Sequence, residues 1–201
     1  MPHTTEATLN ASQNWGGNIR KLGAREQDKL KDHLLRLDKE SRRLRFAHGV
    51  SDAFLEDYVS KINDMNGLVY GFFIGEELHA AAELRKLGET WGREAEAAFS
   101  VEKPYQDLGI GRELMGRVIR AARNRGVHLL FVNCLAENGK MQALAKRHQA
   151  VLHYSHGDVY GEIIPKGPSA MSLLEEAVDD QQAYFRTMLN LQAEAIPSKV
   201  A

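Results

Sequence analysis

The chain has 201 residues, 43% hydrophobic and 26% charged, with a formal net charge of -1, which leaves room for one domain with a full core and gives no global field to attract nucleic acid or an anionic membrane. The single cysteine, Cys134, excludes an intramolecular disulfide. No stretch approaches the roughly 20 apolar residues of a membrane span, so a cytoplasmic protein without nucleic-acid, membrane or metal partners is expected.

Residues 1–14 are polar, show little periodicity and lack the apolar core of a signal peptide; the loose arm they suggest is expected to run to residue 17. Residues 18–22 read as a short first strand. Leu30, Leu34 and Leu37 recur at helical spacing and predict an amphipathic helix over 24–37. Ser51 or Asp52 then caps a second helix running to about 62, with Phe54, Tyr58 and Ile62 on one stripe. The apolar runs 67–74 and 78–87, joined at Gly75, predict two paired strands, and 93–101 predicts a third.

Residues 109–125 predict a helix with Ile110, Leu114, Val118 and Ala121 on one face and Arg117, Arg120 and Arg123 mostly outside. A buried strand at 129–132 follows. A helix at 138–148 turns Met141, Leu144 and Ala145 inward, and strands at 151–154 and 159–164 form a final pair. Beyond Pro165 and Pro168, Leu174, Val178, Phe185 and Met188 or Leu189 mark one side of a helix of roughly 40 Å. This order predicts an α+β domain over 18–165, with a mixed, mainly antiparallel sheet and helices on both faces, and a C-terminal helical extension over 166–201.

The chemistry concentrates between the third of these strands and the helix after it. Gln106, Asp107, Leu108, Gly109, Ile110, Gly111 and Arg112 carry the chain from strand to helix, and two glycines remove β-carbons at the turn. Backbone N–H groups at a helix start are unpaired and sit at the positive end of the helix dipole, a cradle for a diphosphate. Arg112 adds a charge-assisted donor. The turn is neither a dinucleotide fingerprint, since Leu114 stands where a third glycine belongs, nor a P-loop, since no Gly-Lys-Ser/Thr follows. A close-packed turn that binds nothing is the alternative reading.

Gln-x-x-Gly-x-Gly after a strand and a Pro104–Tyr105 step resembles the coenzyme A phosphate turn of the GNAT superfamily of acetyl-CoA-dependent N-acetyltransferases. The strand ending at Val132-Asn-Cys-Leu-Ala-Glu-Asn138, followed by Asn138-x-x-Met141, is similar to that family's next element, and 36–46 is similar to the segment linking its first two helices. The resemblance implies the GNAT fold, acetyl-CoA as cosubstrate and an amine acceptor attacked directly, without a covalent enzyme intermediate. It places Phe99, Ser100 and Val101 along the pantetheine arm, 106–112 on the pyrophosphate, and Asn138 and Met141 at the pantetheine end.

The family's proton-handling positions are not matched. The carboxylate position falls on Ala95; its neighbours Glu94 and Glu96 lie on the opposite face of a regular strand, and a β-bulge would change that. Glu96, acting through water, is the candidate base, against a solvated strand residue. The general-acid tyrosine position falls on Ala145; Tyr154 on a later strand is the candidate acid, against a packing role. Cys134 is expected to be inert, His148, His153 and His156 to be scattered rather than a metal cluster, and the arginines of 112–125, Arg112 apart, to form a solvated face. Acceptor choice is expected from 30–62 and 151–164, with a small polyamine-like amine and a protein lysine equally open. Two rival functions stand beside the enzyme: a non-catalytic acyl-CoA-binding regulatory module on the same fold, and a structural interaction protein. The C-terminal stripe leaves open packing within the chain or a homodimer.

Overall fold

A computed structural model describes residues 15–62 and 67–195; the expected arm at 1–14 and the end of the extension at 196–201 lie outside the described residues. Seven strands form one sheet: β1 (Asn18–Lys21), β2 (Leu68–Ile74), β3 (Glu77–Lys86), β4 (Glu94–Val101), β5 (Leu129–Leu135), β6 (Val151–Ser155) and β7 (Asp158–Ile163). Their spatial order is β1-β2-β3-β4-β5-β7-β6, and every pairing is antiparallel except β4 with β5. Six helices accompany them: α1 (Gln27–Arg36), α2 (Lys39–Phe46), α3 (Asp52–Ile62), α4 (Ile110–Asn124), α5 (Gly139–Arg147) and α6 (Ala170–Ala195).

Two adjacent phenylalanines show how the sheet separates two cores. Side chains alternate along a strand, so Phe72 enters the core under α4 with Ile110, Leu114 and Val118. Phe73 enters the other, with Leu30 and Leu34 of α1 and Leu55 and Val59 of α3. Helices therefore cover both faces of a mixed, mainly antiparallel sheet, as the α+β pattern implied.

Three local features differ from expectation. A third helix, α2, occupies the segment read as a link between the first two. Asp38 Oδ1 starts it by accepting the N–H groups of Glu40 and Ser41, each at 3.0 Å. No residue of α2 is fully buried, so it has no apolar stripe for periodicity to find. The start of α1 moves from 24 to Gln27 because the Glu26 carboxylate is engaged by Gly23 N–H and Arg20 at 2.8 and 2.6 Å, which folds the preceding turn back on itself. Strand β5 runs to Leu135, paired with β7 three residues past its apolar run.

The long helix α6 docks through charge. Glu176 receives Lys21 at 2.7 Å, Asn124 at 2.7 Å and Arg125 at 3.1 Å, while Asp180 receives Lys21 at 2.6 Å. Asp179 pairs with Arg117 at 3.6 Å and with Arg120, and Arg123 donates to Gly167 O at 2.7 Å. The arginines expected to form a solvated face on α4 are thus the clamp that holds α6. The apolar stripe points away: Leu174 is 57% and Phe185 64% exposed, with Val178 and Met188 also exposed. Among the described residues no helix is long and apolar enough to cross a membrane.

Candidate functional site

The parallel pair β4–β5 is registered only from Glu94↔Leu129 to Ala97↔Val132, and beyond it the strands part. Glu102 N–H donates to His79 O on β3 at 3.0 Å. Strand alternation then turns the backbone groups of Phe99 and Val101 the other way, into the gap. Gln106 Nε2 donates to Val101 O at 3.0 Å, which leaves the Val101 N–H as the free backbone group at the mouth.

The mouth opens on the glycine turn. One 3-10 turn, Lys103–Tyr105, leads to Asp107 at φ 61 and Gly109 at φ 88, a left-handed conformation that favours glycine at the N-cap of α4. Among the described residues no side chain caps this helix, and the N–H groups of Ile110, Gly111 and Arg112 have no backbone acceptor. A β-carbon on Gly111 would meet only Leu144 Cδ2, at 3.6 Å, so the space above the turn is open. A cleft of about 570 Å³ lies there, with Arg112, Lys140 and Arg147 on its walls. Lys140 donates to Gln106 Oε1 at 3.1 Å and Asp107 Oδ2 at 2.7 Å. Trp15 donates to Leu108 O at 3.0 Å from the other side. Free N–H groups at a helix start, flanked by three cations, suit a polyanion such as a diphosphate.

Most of the sequence-predicted residues meet here. Phe99, Ser100, Val101, Gln106, Asp107, Leu108, Gly109, Gly111, Arg112, Asn138 and Met141 all line this cleft. Ile110 contributes only backbone, its side chain being buried under the sheet. The Asn138 Oδ1 caps α5 by accepting Met141 N–H at 3.1 Å, leaving its amide nitrogen for a ligand. Tyr154 lines neither this cleft nor the next; it is 61% exposed and donates to Gln142 at 3.1 Å.

A second cleft of about 370 Å³ joins the first, sharing Leu44, Arg45, Phe99, Asn138 and Met141. Glu96 lies on its wall. Strand β4 runs without a bulge against β3, so Glu96 stands opposite Arg85, while Ala95 faces the core under α4. Asn133 Nδ2 donates to Glu96 Oε1 at 3.3 Å. Beside it Glu83, 3% exposed at its side chain, accepts Arg45 at 2.6 Å, Tyr58 at 2.6 Å and Arg85 at 2.8 Å. Burial pushes the Arg85 guanidinium down to about 10, with Arg45 adding to the fall and Glu96 opposing it. Cys134 also lines this cleft; burial and then Asp158 push its thiol up, away from the thiolate a nucleophile needs.

Behind Ser100 of the first cleft, Glu102 gathers three groups. His33 Nδ1 and His79 Nδ1 each donate to it at 3.0 Å, and Arg36 Nε donates at 3.0 Å. The carboxylate accepts only, so His33 carries its proton on Nδ1 and receives the Ser100 hydroxyl on Nε2 at 2.8 Å. Burial pushes His33 down against the pull of Glu102. Burial would raise Glu102, but the two histidines and Arg36 outweigh it and hold the carboxyl at about 2. Ser100 lines the first cleft with its hydroxyl already committed to this network.

Arg45, Tyr58, Arg85, Asn133, Tyr160, Lys140 and Arg147 were not singled out as site residues from sequence. One signal was available: Glu83 and Arg85 interrupt an apolar strand at period two, which marks a polar face inside the protein.

The acetyltransferase (GNAT) family profile matches residues 32–149, more than half the chain, and the protein belongs to that family. Its fold is similar to the GNAT domain of S. lividans PAT, 21% identical with a TM-score of 0.64 over 74% of this chain and 90% of that one. It is also similar to a mutant of the cAMP-binding acyltransferase from Mycobacterium smegmatis, 24% identical with a TM-score of 0.53 over 84% of this chain and 51% of that one, so the present chain spans about half its length. A third likeness is to yncA from Salmonella typhimurium, solved with its cofactor acetyl-CoA: 14% identity and a TM-score of 0.57 over 77% and 96% of the two chains. At these identities the three share a fold with this chain. The glycine turn and the parted strands lie within the matched residues.

Proposed function

We propose that this protein is an N-acetyltransferase that binds acetyl-CoA across the β4–β5 gap and passes its acetyl group to an amine in the adjoining cleft. The observation that carries the reading is the convergence of three features on one point: the parted strands, the uncapped start of α4, and the second cleft lined by Glu96. The residues present fit the coenzyme. The N–H groups of Ile110, Gly111 and Arg112 would hold the pyrophosphate, Lys140 and Arg147 are placed for the remaining phosphate, and the Val101 N–H and Asn138 amide nitrogen for the pantetheine arm. Acetyl-CoA supplies an activated thioester there.

The residues of the chain do the rest. Glu96, through water, takes the ammonium proton, and the neutral amine attacks the thioester carbon. The Phe99 N–H faces the gap where the oxyanion forms. As the C–N bond forms and the C–S bond breaks, the nitrogen loses its second proton and the leaving sulfur gains one, both through the solvent of the open cleft. Cys134 has no part in a direct transfer.

Calorimetry with acetyl-CoA and dephospho-CoA, followed by thiol release with a panel of amines, tests the reading. One-to-one micromolar binding, weakened for dephospho-CoA, together with amine-dependent thiol release, is the expected result. Binding without release from any amine would favour the regulatory module. A folded chain that binds neither compound would refute the coenzyme site.

A further inference from the structure

The second cleft is bipolar. Arg45 and Arg85 line it, and so do Glu96 and Asp158, with Glu96 beside Arg85 on the neighbouring strand. The two guanidiniums share one buried carboxylate, and Glu83 has both oxygens engaged: Oε1 by Arg45, Oε2 by Tyr58 and Arg85. Glu83 therefore answers one of the two guanidiniums, and Glu96, across the strand pair from Arg85, is the carboxylate nearest the other. Arg45 is only 6% exposed at its side chain, and its Nε has no hydrogen-bond partner among the described residues. It borders both clefts, beside the place where an acceptor would meet the thioester. Arg85 Nη1 likewise makes no hydrogen bond among the described residues, since Nε and Nη2 both go to Glu83. A guanidinium with a donor left unengaged at a cleft wall, as Arg85 has, is completed by an anion.

We infer that the acceptor is a small zwitterion of the amino-acid type, its carboxylate received by Arg45 and Arg85 and its amine turned toward Glu96. The inference rests on the reading of this cleft as the acceptor site. Register gives the spacing: Arg85 and Glu96 are directly opposed on β3 and β4, with β-carbons about 5 Å apart. Groups so close together suit an amine and a carboxylate on neighbouring atoms. The fall of the Arg85 guanidinium to about 10 from burial, with Arg45 contributing, is relieved by an incoming anion. A polyamine or an isolated lysine side chain brings positive charge alone and leaves the unengaged Arg85 donor without an acceptor.

The test is calorimetry on the full chain saturated with CoA. Leucine is titrated against 3-methylbutylamine and lysine against cadaverine, each amine being the amino acid without its carboxylate. An amino acid is expected to bind about ten- to a hundredfold more tightly than its decarboxylated partner, the worth of charged hydrogen bonds. Arg85→Gln should bring the two within about threefold. Equal affinity within both pairs in the wild-type protein overturns the inference, whether or not the variant folds, and so does the absence of binding by either amino acid. Preferential acetylation of a lysine peptide with neutral neighbours over free leucine and lysine also overturns it, while leaving acetyl transfer intact. Failure of CoA itself to bind, read in the first titration, removes the coenzyme reading and this assignment together.

Discussion

Replacing Gly111 by aspartate places a carboxylate where the pyrophosphate is assigned, in the first turn of α4. At about 5 Å and an effective dielectric of about 20, one pair of like charges costs about 3 kcal/mol, roughly a hundredfold in affinity. Steric effects can be separated from charge, because a β-carbon at this position meets only Leu144 Cδ2 at 3.6 Å. Gly111→Ala should therefore fold at least as stably as the parent, alanine being favoured in a helix by up to about 1 kcal/mol, and should keep acetyl-CoA affinity within about fivefold. Calorimetry on both variants at low and high salt, with circular dichroism to confirm folding, reads the difference. The aspartate penalty should shrink as salt screens it. A folded Gly111→Asp protein that keeps parental affinity would refute the placement of the phosphates at this turn.

Glu96→Gln should leave acetyl-CoA affinity unchanged and lower kcat by about a hundredfold; an unaltered pH–rate profile would return Glu96 to a surface role. Stability should fall in acid: above the ordinary 6.5 of histidine the buried His33 is neutral in both states, but below it the unfolded imidazole takes a proton that the folded one resists. Glu102, held at about 2, adds a further loss as pH falls below the ordinary 4.5 of a glutamate. His33→Gln should flatten the part of a melting-temperature series between about pH 6.5 and 5; a slope equal to the parent's would exclude His33 as its source. Glu176→Ala strands Lys21, Asn124 and Arg125, at a cost of about 2 kcal/mol and a melting point lower by about 4–8 °C. An unchanged melting point would show that α6 is held by something other than these ion pairs.

The fold was legible wherever burial wrote a period into the sequence. Leu30 and Leu34 give α1, Ile110, Leu114 and Val118 give α4, and the run around Phe72 and Phe73 gives β2, because each buries one face. The glycine turn was legible for another reason: the left-handed backbone at Gly109 favours glycine, so the requirement stays local. The second cleft was not. Arg45, Tyr58, Arg85, Asn133 and Tyr160 come from five separate elements, and their polar groups converge only once the sheet forms. Helix α2 escaped notice because it has no buried stripe, and it is the element that brings Arg45 to the site. The charged docking of α6 was equally hidden, since an apolar stripe invites the assumption that it faces inward.

The two halves of the proposed site, for acetyl donor and for acceptor, divide mutational risk unequally. The donor half relies largely on peptide groups, which every residue type but proline can offer, so its side chains are free to drift as long as Gly109 and the gap survive. The acceptor half depends on side chains, several of them on α2, whose residues all keep some contact with solvent. Changes there disturb little of either hydrophobic core. If the two halves act as proposed, such a fold can exchange one acceptor for another by substitutions on α2 and its neighbours while the coenzyme half stays in place.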